Sequence, residues 1–66
     1  MKRLLWSELL YTQGFGTRRI CVGLIEQGHL QTPKNDGWNV IQDPASSVDA
    51  EPGMRFRVLG EEWTYQ

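Results

Sequence analysis

Apolar residues recur at helical spacing twice in the first half of the chain and at strand spacing in the second. Leu5, Trp6, Leu9 and Leu10 fall on one face of a helical repeat, which predicts an amphipathic helix over residues 2–12 ending near Gly14. Ile20, Cys21, Leu24 and Ile25 mark a second helix over 18–27, with Thr17 as its N-cap and Gly28 as its stop. Gly14-Phe15-Gly16 is a short link, so the helices are close neighbours with Phe15 tucked between them. After Gly28 the chain alternates polar and apolar residues through Thr32, as a strand does, and 33–37 is dense in turn formers, with Asp36-Gly37 a strong reversal signal. Residues 38–41 return as a second short strand. The polar stretch 43–50 is expected to be an ordered loop, and Pro52-Gly53 stands in the order a type II turn prefers. Residues 55–59 alternate as a half-exposed strand with Phe56 and Val58 inward, and 63–66 is either one more strand or a loose tail. The fold class is therefore α+β, with two packed helices against a small, mostly antiparallel sheet.

The start of the second helix has unusual chemistry. A helix N-terminus carries partial positive charge and favours acidic side chains, yet its first two positions are Arg18 and Arg19. Two cations there cost a few tenths of a kcal/mol. An anion docked on the free N–H groups reverses the sign, and phosphate is the usual such ligand. Thr17, Arg18 and Arg19 are thus candidate phosphate contacts. The alternative is two solvated arginines on a surface helix, since Arg is a good helix former.

Charge distribution bears on this choice more than the sum does. The net charge is −1 and the pI near 5.7, which is not the balance of a generally basic nucleic-acid binder. Up to residue 34 the chain holds Lys2, Arg3, Arg18, Arg19 and Lys34 against Glu8 and Glu26. Beyond it, Arg55 and Arg57 face Asp36, Asp43, Asp49, Glu51, Glu61 and Glu62. A basic helical half and an acidic second half point to one polyanion-facing surface.

Sixty-six residues make one small domain at most, burying roughly 60% of the surface its unfolded chain exposes. Cys21 is the only cysteine, so no internal disulfide is possible, and a reducing, cytoplasmic setting fits best. It faces the predicted core as a small hydrophobe. One Cys and one His do not make a structural zinc site, so neither metal nor cofactor is expected. Glu8 interrupts the apolar stretch after Lys2-Arg3 before it reaches signal-peptide length, and no run is long enough to span a bilayer. Asp43, Asp49 and Glu61-Glu62 lie in polar segments and read as solvated charges; Ser46 and Ser47 have no histidine beside them, and His29 reads as a strand-edge residue or an RNA contact rather than a base.

Gly14-Phe15-Gly16-Thr17-Arg18-Arg19, then Leu24-Ile25, Gly28 and Leu30, then Asp36-Gly37, Asp43-Pro44-Ala45, and Pro52-Gly53 with Phe56 and Val58, resembles the RNA-binding domain named after small-subunit ribosomal protein S-four. The resemblance covers roughly residues 5–60. The Asp-Pro-Ala-Ser-Ser-Val stretch is most similar to the version fused to bacterial pseudouridine synthases of the small-subunit rRNA type. It implies an alpha-L motif whose helical face grips structured, ribosomal RNA through Thr17, Arg18 and Arg19, with Lys34 and Asn35 added from the hairpin tip. It also implies a division into an RNA-binding domain at 1–60 and a terminal strand or linker at 61–66 leading toward a catalytic domain. The isomerase chemistry would belong to that domain, because no Gly-Arg-Leu-Asp run occurs here, and Trp63 and Tyr65 either pack on it or close the edge of the sheet. The remaining readings are a free-standing ribosome-associated protein of the same fold, or a protein-interaction module whose exposed Trp and acidic half meet a basic partner.

Overall fold

A computed structural model describes residues 2–66, so residue 1 of the predicted domain lies outside it. In chain order the elements are β1 (Lys2–Leu5), α1 (Trp6–Thr12), α2 (Arg18–Glu26), β2 (Leu30–Lys34), β3 (Gly37–Ile41), β4 (Ser47–Ala50), β5 (Arg55–Val58) and β6 (Glu61–Thr64). The class is α+β. The strands form two antiparallel sheets rather than one: a β1–β4 pair and a four-stranded sheet ordered β3-β2-β5-β6.

The first helix is shorter than its apolar spacing predicts. Residues 2–5 extend and pair with β4, Leu4 opposite Val48 and Leu5 opposite Ser47, and the ladder continues as Trp6 N–H donates to the Ser46 carbonyl at 3.0 Å. Leu5 is the N-cap, with extended backbone, and its N–H donates to the Glu8 carboxylate at 3.1 Å, the returning half of a capping box. The predicted loop at 43–50 correspondingly ends in strand β4, with Ala50 buried opposite Lys2. Residues 61–64 also form a strand, exposed at every position and paired with β5.

Trp6, Leu9, Leu10, Cys21, Ile25, Leu30, Ala50, Phe56 and Val58 make the buried core. Phe56 is fully buried at its centre, in edge-to-face pairs with Trp6 and Phe15 at ring separations of 5.9 Å and 6.0 Å. Phe15, in the link between the helices, packs against the core that they share with the sheet. It crosses to the sheet and meets Phe56 and, at 5.1 Å, Trp63. On α2 the inward residues are Cys21 and Ile25; Leu24 is only partly buried, and Ile20 is 52% exposed. The Pro52-Gly53 turn has the expected form, with Gly53 at φ +88° and Met54 N–H donating to the Glu51 carbonyl at 3.0 Å.

Leu59 and Gly60 join β5 to β6, with φ of 53° and 83°. Two positive φ angles in a two-residue hairpin loop define a type I′ turn, which favours Asn-Gly. Leucine is strained in that region. Its side chain is 61% exposed, so little burial is lost by replacing it. Leu59→Asn is therefore expected to raise stability by about 1 kcal/mol, seen as an increase of several degrees in Tm. A lower Tm would show that the turn does not have this form.

Candidate nucleic-acid interface

α1 packs directly against α2, and the link between them fixes where α2 begins. Gly14 N–H donates to the Tyr11 carbonyl and Phe15 N–H to the Leu10 carbonyl, closing α1, while the Phe15 ring anchors the link on Phe56. Thr17 then starts α2 as the N-cap: its backbone is extended, its Oγ1 accepts from Ile20 N–H at 3.2 Å, and its carbonyl accepts from Cys21 N–H at 2.9 Å. The Arg18 and Arg19 N–H groups precede the first intrahelical bond and point out of the helix end. No acidic residue occupies the first turn.

The two guanidinium groups differ in setting. Arg18 lies over the Tyr11 ring of α1, 4.7 Å from its centroid, because it stands nearly two full turns before the buried Ile25 and so shares the side of α2 that faces α1. Arg19 is exposed on the outer side and takes part in none of the ion pairs among the described residues. The α2 start thus carries two backbone donors and two arginines, one over the Tyr11 ring and one exposed without an ion pair among the described residues.

Lys34 and Asn35 are elsewhere. Lys34 ends β2 opposite Gly37, Asn35 makes the reversal with φ +47°, and both are exposed. α2 enters β2 through Gly28 and His29, and five strand residues carry the chain roughly 16 Å further to the hairpin tip. No hydrogen bond or ion pair among the described residues links this tip to the α2 start. Thr17, Arg18 and Arg19 thus belong to the start of α2, and Lys34 and Asn35 to the β2–β3 hairpin.

The other polar residues singled out from the sequence have ordinary structural roles or none. Asp43 Oδ1 accepts from Ala45 N–H at 2.9 Å and so shapes its own turn. Asp49 pairs with Arg3 at 3.1 Å, both well exposed, a contact of little energetic consequence. Burial pushes the Cys21 thiol up from its ordinary range, which keeps it neutral and unreactive at neutral pH. No group of His, Cys, Asp and Glu among the described residues is arranged to hold a metal ion, and no helix among them is long and apolar enough to cross a membrane.

One arrangement escapes a reading along the chain. On the outer face of the four-stranded sheet the Arg57 guanidinium stacks over the Trp38 ring, 4.0 Å from its centroid, and Arg55 pairs with Glu62 at 3.2 Å. These side chains border a hollow of about 400 Å³ together with Pro33, Asn35 and Asp36. Alternation in 55–58 turns Arg55 and Arg57 outward, but that Trp38 meets Arg57 follows only from strand order, since β2 lies between β3 and β5.

Comparison of the chain with protein-family models, with curated proteins and with solved structures finds no match.

Proposed function

We propose that the chain is a non-catalytic RNA-binding module of the ribosomal protein S-four type, working in the cytoplasm as the N-terminal targeting domain of an rRNA pseudouridine synthase. The observation that carries this reading is the start of α2. Its N–H donors are free beyond the one that Thr17 takes, no carboxylate neutralises its first turn, and Arg18 is held in place by Tyr11. A phosphate at this position accepts from the backbone and from both guanidinium groups, and the dipole favours it. The adjoining helix and sheet supply a rigid support, so the module holds structured RNA by backbone and shape and raises the concentration of substrate at an attached active site. The same surface serves equally in a free-standing ribosome-associated protein.

Replacing Arg18 and Arg19 together by Ala tests the assignment. Affinity for a structured rRNA fragment is expected to fall, and the slope of log K against log salt to flatten by about one to two units, because fewer counterions are released. The fold is expected to survive, since alanine is the better helix former and only an exposed Tyr11 contact is lost. Unchanged affinity and slope would sink the assignment. A second reading, a protein-interaction module, is favoured by Trp63 and Leu59, 43% and 61% exposed beside Phe15. An aromatic-anchored protein interface is far less sensitive to salt than phosphate binding, so the same salt series separates the two.

A further inference from the structure

The outer face of the four-stranded sheet is built as a flat, amphoteric surface. Strand alternation and register place Trp38 of β3, Gln31 and Pro33 of β2, Arg57 of β5 and Glu62 of β6 on one side, opposite to the buried Leu30, Phe56 and Val58. Glu62 stands directly across from Arg57 in the register, yet its carboxylate engages Arg55 instead. Arg57 Nε is buried and has no hydrogen-bond partner among the described residues. Its guanidinium thus lies over the Trp38 ring and makes no ion pair among the described residues, and it also borders the hollow on this face. The hollow beside it is edged by donors from Arg55 and Arg57 and by acceptors from Asp36 and Glu62. With two cations and two carboxylates around it, a bare anion gains little there. A flat group that carries both donors and acceptors fits the wall and the rim together, and nucleobases have that chemistry. Unpaired bases stack on aromatic rings and on guanidinium planes of this kind.

We propose that this face holds one unpaired base of the bound RNA, stacked on Arg57 against Trp38, while the α2 start grips the phosphates of a neighbouring folded segment. The inference rests on the RNA-binding reading and adds to it a second mode of contact, made to a base rather than to phosphates. The two modes differ in salt response: stacking releases few counterions, whereas phosphate contacts release about one each.

The test uses two RNAs of the same stem, one closed by an unpaired loop and one a blunt duplex, titrated against the wild-type chain, Trp38→Leu, Arg57→Gln, Trp38→Phe and the Arg18/Arg19 double Ala variant. Wild type is expected to bind the looped RNA more tightly. Trp38→Leu and Arg57→Gln are expected to lose roughly 5- to 100-fold on the looped RNA, with duplex affinity and salt slope unchanged, and Trp38→Phe to retain most of the preference. Each preference is a ratio measured on one protein sample, so partial unfolding of a variant, which weakens both RNAs alike, does not imitate the result. A wild type that binds both RNAs equally, or a preference that survives Trp38→Leu and Arg57→Gln, overturns the inference and leaves the α2 assignment standing. A wild type that binds neither RNA overturns the functional reading beneath it, and the inference with it.

Discussion

Phe56→Ala is expected to remove a large share of the chain's stability and to lower its denaturant midpoint strongly. A domain of 66 residues has roughly 3–10 kcal/mol of stability at the usual value per residue, and truncation of a fully buried Phe removes about 3–5 kcal/mol of it. The position is severe for a geometric reason. Phe56 pairs edge-to-face with Trp6 of the first helix and with Phe15 of the link, so one ring joins α1, the α1–α2 connection and the sheet. Removing it opens a cavity among side chains that belong to three different elements, and no single one of them can move to fill it. Phe56→Leu keeps most of the volume and is expected to lose about 1–2 kcal/mol. Denaturant unfolding followed by tryptophan fluorescence measures both. A Phe56→Ala midpoint close to wild type would mean that the aromatic cluster does not hold the helices to the sheet.

The features legible in the sequence are those whose causes lie within a few residues. Thr17 caps α2 because its hydroxyl reaches Ile20 three positions on, and Pro52-Gly53 turns because proline and glycine preset the two φ angles. The elements that the sequence leaves hidden depend on distant partners. Residues 2–5 continue a helical apolar pattern by one residue, Leu5, and become a strand because β4, more than forty residues away, offers backbone hydrogen bonds. β4 and β6 in turn carry too few apolar residues to announce themselves. β6 is exposed at every position and exists through its pairing with β5.

The same division holds for the candidate site. Arg18 and Arg19 are visible as an oddity of charge at a helix start, a property of adjacent residues. Lys34 and Asn35 belong to another element, the tip of the β2–β3 hairpin, and no hydrogen bond or ion pair among the described residues joins that tip to the α2 start. The Trp38–Arg57 stack joins residues nineteen positions apart across an intervening strand. Periodicity says which of these side chains face outward, and only strand order says which of them meet.

The rotation of α2 about its axis decides how the two arginines are presented, and it has its own measurable consequence. Apolar spacing alone allows Ile20, Cys21, Leu24 and Ile25 to share the buried face, but the structure buries Cys21 and Ile25 completely, leaves Leu24 partly covered and exposes Ile20. Ile25→Ala is therefore expected to cost about 2–4 kcal/mol, and Leu24→Ala about 1 kcal/mol. With Ile25 inward, Arg18 falls on the α1 side, where Tyr11 holds it, and Arg19 is turned to solvent. With Leu24 inward instead, the helix would be turned by about 100°, and Arg18 would swing away from Tyr11. Urea unfolding of the two variants distinguishes these orientations without any RNA in the experiment. A larger loss for Leu24→Ala than for Ile25→Ala would show the turned helix, and with it a phosphate site in which neither guanidinium is fixed in advance.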